Sequence, residues 1–125
     1  MEKFILACLL ATGAASGFAE WTKVHETNDF TAFIDFSSIS NDGDMRIFWM
    51  IQDSKKRNKY GAMSYHGHEQ VDCKALRARN LSLDWYSEAM AKGRVVVGSD
   101  GNPSSWAEIP SNSFQETILK TVCAK

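Results

Sequence analysis

Two cysteines limit what this chain can fold into more than any other feature. Cys73 and Cys123 are the ones that remain once an export signal is removed. Residues 1–3 make a short polar start, and residues 4–15 form an apolar run too brief to cross a bilayer of about 30 Å. Gly17 and Ala19 supply the small side chains that a signal peptidase needs at positions −3 and −1. The expectation is a cleavable signal over residues 1–19 and one domain over residues 20–125. Cys8 lies inside the signal with too little apolar chain ahead of it for lipidation, so an unlipidated product is expected. In an oxidising compartment the even pair Cys73 and Cys123 predicts a disulfide. It would close a loop of about 50 residues and contribute about 4 kcal/mol on the chain-entropy account. Zinc-binding thiolates would need two more ligands at short spacing, and neither cysteine has a CxxC partner.

The staple suits the size of the domain, because a chain this short buries only about 60–65% of the surface its unfolded form exposes. With 44% hydrophobic and 23% charged residues the chain is neither disordered nor membrane-spanning. A net charge of −1 argues against a nucleic-acid binder, which would carry a broad basic footprint.

Hydrophobic periodicity gives the elements. Residues 21–26 and 30–36 are rich in aromatic and β-branched side chains, with an Asn28-Asp29 turn between them. Phe30, Ala32, Ile34 and Phe36 alternate onto one face, the mark of a half-buried strand. Residues 40–44 read as a turn, since Asp42-Gly43 tolerates positive φ. Residues 46–52 are apolar on both faces, which predicts a central strand. Residues 60–72 read as the next strand, with Met63, Tyr65, Val71 and Cys73 on one face and His66, His68 and Gln70 on the other. Leu76 and Ala78 are out of phase with Leu81, Leu83 and Trp85, and a bulge near Arg79-Asn80 would reconcile them. Residues 87–92 read as a short helical turn closed by Gly93, residues 94–97 as a strand, and residues 98–105 as a surface loop. From Ser113 the period changes. Ser113 and Glu116 fit a capping box, and Phe114, Ile118, Leu119, Val122 and Cys123 form one helical stripe. The predicted fold class is α+β, a single antiparallel sheet of five to six strands with this helix packed on one face.

Few side chains point to chemistry. His66 and His68 share a strand face at a spacing used in some metal sites, but a zinc centre needs a third ligand, and of the candidates His25, Glu69 and Asp72 the two acids do not both share that face. A polar, exposed strand face is the plainer expectation. There is no GxSxG elbow, no phosphate-binding glycine loop and no carboxylate pair that stands out, so no enzyme, metal or cofactor is expected. Lys55, Lys56, Arg57 and Lys59 crowd four cations into five residues at an expected hairpin tip. They make either a solvated turn or a contact patch for an acidic partner surface. Trp21, Trp49, Trp85 and Trp106 are expected to fill a small core, with Trp106, in a loop, as a candidate partner anchor.

Taken in order, the residues resemble the bacterial surface-adhesin protein E family. The resemblance runs through Trp21, the 33–39 segment Phe-Ile-Asp-Phe-Ser-Ser-Ile, the strand 47–51, Ser64, and Val71-Asp72-Cys73-Lys74. It continues with Tyr86, Met90, Gly93, Trp106, Ile109-Pro110 and Val122-Cys123. It implies a small antiparallel sheet with a helix and a cysteine bridge, exported by a Gram-negative bacterium. It also implies an adhesin at the cell surface that binds host matrix or serum proteins such as laminin and vitronectin. A second reading is a soluble periplasmic domain that binds a small molecule or an envelope component and makes no host contact.

Overall fold

The computed structural model describes residues 19–125. Apart from Ala19, the expected export signal, with Cys8, lies outside the described residues. Eight strands form one antiparallel sheet: β1 (Trp21–Glu26), β2 (Phe30–Asp35), β3 (Ser40–Asp42), β4 (Met45–Ser54), β5 (Ser64–Asp72), β6 (Arg77–Glu88), β7 (Lys92–Val97) and β8 (Ala107–Glu108). One helix, α1 (Phe114–Cys123), follows them. The α+β class stands, but the strand count is eight and not five to six. The two extra strands are short. Ser40–Asp42 pairs with the start of β4 where the sequence suggests only a turn, and Ala107–Glu108 pairs with the start of β6. Segments of three and two residues carry no periodic signal, and only the neighbouring long strand defines them.

The main path runs β1-β2-β4-β5-β6-β7. β4, apolar on both faces, lies in the interior of the sheet as its pattern requires. β5 begins at Ser64, later than the sequence indicates, because residues 55–63 form a turn-rich connection. The bulge falls opposite His68 and Glu69: His68 pairs with Ser82 and Glu69 with Asn80, so Leu81 is the extra residue. It brings Ala78 onto the face that Leu83 and Trp85 occupy, as the phase change between them demands.

α1 packs on the face that carries Ile34, Phe48, Met50 and Val71, to which it adds Ile118, Leu119 and Val122. Its N-cap is Ser113, whose Oγ accepts from the Glu116 N–H at 3.1 Å. The Glu116 carboxylate reaches back one residue further than a capping box would have it, accepting from the Asn112 N–H. Cys73 and Cys123 are bridged, with Cα atoms 5.9 Å apart, and the bridge fastens α1 to the end of β5. Contrary to expectation, no tryptophan joins the buried core. All four are half-buried, since aliphatic and phenylalanine side chains already fill the space beneath a ten-residue helix.

Candidate functional site

With α1 on one face, the opposite face of the sheet presents side chains that antiparallel register sets side by side. Trp49 pairs with His68, and Ile51 with His66. The Trp49 indole stacks on both imidazoles, with centroids 4.4 Å from His66 and 4.2 Å from His68, and Trp21 meets His66 edge-on at 5.6 Å. The histidines lie opposite the cysteine face, as strand parity requires, but they are not a simple polar surface. Both rings are half-buried beneath indole. Burial lowers the His66 pKa, with nearby Asp84 opposing and His68 adding to the effect, and burial likewise lowers that of His68. The imidazoles are therefore held towards their neutral form, so the patch is aromatic rather than cationic at neutral pH. Among the described residues no group of three or more His, Cys, Asp or Glu side chains is arranged to hold a metal ion.

Further along the same face, Arg79 Nε donates to Gln70 Oε1 at 2.8 Å. The guanidinium groups of Arg79 and Arg77 lie over the Trp106 ring, 4.6 and 4.5 Å from its centroid. Trp106 is thus half-buried in a cation–π cluster instead of projecting from its loop. The basic run 55–59 is partly neutralised within the chain. Lys55 Nζ donates to Glu26 Oε2 at 2.6 Å, and hydrogen bonds from Lys55 and Lys23 hold the Glu26 carboxyl down at about 2. Arg57 donates to the Gly61 and Ser87 carbonyls and lies 3.8 Å from the Glu88 carboxylate. Among the described residues Lys56 and Lys59 form no ion pair, and Lys59 sits over Tyr60, which is 64% exposed. The run and the tryptophan cluster stand on separate elements, the former after β4 and the latter beside the start of β6.

The sequence model of the family described as Surface-adhesin protein E matches residues 21–124, nearly the whole of the described chain. The chain belongs to the surface-adhesin protein E family. No curated protein matches it. Among solved structures it is similar to Haemophilus influenzae protein E in crystal form II, at 14% identity and a TM-score of 0.63, covering 86% of this chain and 97% of that one. The selenomethionine form of that protein matches with a TM-score of 0.61 at 14% identity, over 86% of this chain and 95% of that one. Protein E from non-typeable Haemophilus influenzae matches at 0.59 and 14%, over 88% and 79% of the two chains. At that identity the likeness shows a shared fold.

Several residues that carry the resemblance to the adhesin E family hold local structure together. Ser38 Oγ donates to the Asp35 carbonyl and accepts from the Trp49 N–H at 3.0 Å, tying the turn after β2 to the strand of the stacked indole. Ser64, fully buried, donates to the Glu88 carbonyl and accepts from the Ala91 N–H. Those bonds, with Met90 N–H donating to Asp53 Oδ1 at 2.7 Å, hold an arch in which Met90 and Ala91 both have φ near 57°. Gly93 closes the arch at φ +81°, a conformation that costs a residue with a side chain about 1 kcal/mol or more. Among the described residues no helix is long and apolar enough to cross a membrane.

Proposed function

We propose that this adhesin-family chain is an exported, non-enzymatic binding module that engages a protein partner through the open face of its sheet. The observation that carries the reading is the Trp49 stack. A half-buried indole, stacked on two imidazoles of which one, His66, meets Trp21 edge-on, lies on the face away from α1. Partly exposed aromatic anchors with arginine nearby are the side chains on which protein interfaces concentrate their binding energy. Lys55, Lys56, Arg57 and Lys59, in the connection after β4, supply positive charge that favours an acidic partner surface. The expected partner is a host extracellular-matrix or serum protein. The expected residence is the periplasm or cell surface of a Gram-negative bacterium, reached by a cleavable signal over residues 1–19 and without lipidation.

The test measures binding of the oxidised protein to immobilised matrix and serum proteins. Trp49→Ala is expected to weaken the interaction at least about tenfold with the fold intact, the scale of an interface anchor. Replacing Lys55, Lys56, Arg57 and Lys59 by Ser is expected to slow association chiefly at low salt. Unchanged binding by both variants would remove the open face from the proposal. Confinement of the protein to the periplasm, read by protease access to whole cells, would eliminate host contact and favour the soluble periplasmic reading.

A further inference from the structure

The other face of the sheet carries a second opening. Between α1 and the strands runs a cleft of about 540 Å³. Phe30, Phe48, Met50, Phe114 and Ile118 give it apolar walls, and Gln52, Tyr65, Glu69 and Asn80 place polar atoms in it. These four are already engaged with one another. Tyr65 Oη donates to Gln52 Oε1 at 2.8 Å, and the Asn80 side-chain amide lies within hydrogen-bond distance of both Glu69 oxygens, at 2.8 and 2.9 Å. The Glu69 carboxylate leans over Gly67, where a Cβ would stand 2.6 Å from Oε2, so the missing side chain of Gly67 is what lets the acid occupy this place. Among the described residues Glu69 forms no ion pair. The cation that lines the same cleft, Arg79, turns its guanidinium to Gln70 and Trp106 on the opposite face.

An acid lining a cleft with phenylalanine walls, with only a neutral amide in hydrogen-bond reach, is costly to ionise and lacks an opposite charge. We propose that this cleft binds a small amphiphilic cation, an apolar body bearing a primary ammonium group, with the ammonium seated on the Glu69 carboxylate. The apolar body replaces water against Phe30, Phe48 and Phe114, and the ammonium donates to carboxylate oxygens that the chain leaves without a charged partner. An anion of the same shape is repelled, and a neutral alcohol gains the apolar contact without the ion pair. Burial alone pushes Glu69 up to about 8, so the free cleft holds it mostly protonated at neutral pH and an arriving cation drives the proton off. Other titratable or charged groups near it are Tyr65 on β5, kept protonated by burial and by the Glu69 charge, and Arg79 on β6. His25 on β1 touches Phe30 and Phe114 from behind the wall, while the cleft residues of β4 and α1 carry no charge.

Hexylammonium, 1-hexanol and hexanoate are the probes, titrated into the oxidised protein and followed by amide NMR and calorimetry. Hexylammonium is expected to shift the amides of Glu69, Asn80 and Ile118, and to bind at least about tenfold more tightly than hexanol. At pH 7 cation binding should be accompanied by proton release, and affinity should rise with pH through the titration of Glu69 near 8. Glu69→Gln should lose about tenfold in hexylammonium affinity together with the proton release, whereas His25→Gln should keep both. Gly67→Ala, which crowds the carboxylate, should weaken the cation alone. Equal binding of hexylammonium and hexanol, absence of proton release from the unmodified protein, no binding of any probe, or shifts confined to the Trp49 face would each overturn the proposal.

Discussion

Glu69 titrates at about 8 in the folded chain, against an ordinary value of 4.5. Between those values the native state keeps a proton that the unfolded state has lost, so stability falls as pH rises from about 4.5 through 8. His66 and His68 act in the other direction. Burial lowers both, so the unfolded chain gains protons first and stability falls as pH drops below 6.5 through the lower folded values. The melting temperature of Glu69→Gln minus that of the unmodified chain is therefore expected to grow between pH 5 and pH 8, by at least about 5 °C. A constant difference over that range would contradict the placement of the acid. Strand parity alone puts His66 and His68 on one face and Cys73 on the other, because a two-residue period survives any register. The indole on top of those histidines is not legible in the sequence, since only the pairing of Trp49 with His68 brings them together. Glu69 escapes notice for a related reason. Phe114 and Ile118, which line the same cleft, stand more than forty residues away in sequence, and nothing local marks Glu69 as half-buried beneath them on this face.

At the scale of elements, α1 rests on its cap, its apolar stripe and its bridge. Ser113→Ala removes the acceptor for the Glu116 N–H and is expected to cost about 1 kcal/mol, measured by denaturant unfolding. Replacing both Cys73 and Cys123 by Ser opens a loop with a sequence separation of 50 and is expected to cost about 4 kcal/mol by the same measurement. A loss below about 1 kcal/mol would mean that packing of Ile118, Leu119 and Val122 already orders the loop. The helix is legible to the residue, because a capping serine and a 3.6-residue stripe are both local signals. The strands β3 and β8 are not, because their only definition is the edge they lie against: β2 and β3 share one side of β4, and β7 and β8 share one side of β6. The basic run follows the same rule. Its charges can be counted from sequence, but Glu26 and Glu88, which pair with Lys55 and Arg57, come from β1 and β6.

At the scale of the molecule, the division of labour between the two sheet faces follows from α1 covering one of them, with no second α-helix among the described residues to cover the other. One face is closed by α1 apart from its cleft, and the other keeps its aromatic row in reach of solvent. The six-strand path also says something about how the chain reaches this state. Each strand in it pairs with the next one along, with only the short β3 intervening between β2 and β4. The sheet can therefore zip up one hairpin after another, with small loop-closure costs at every step. The docking of α1 onto β5 is the distant event, separated by 50 residues at the bridge. In kinetic terms the sheet is expected to assemble first and the helix to arrive last, so that the two thiols meet only on a surface already built and oxidation records the end of folding rather than directing it.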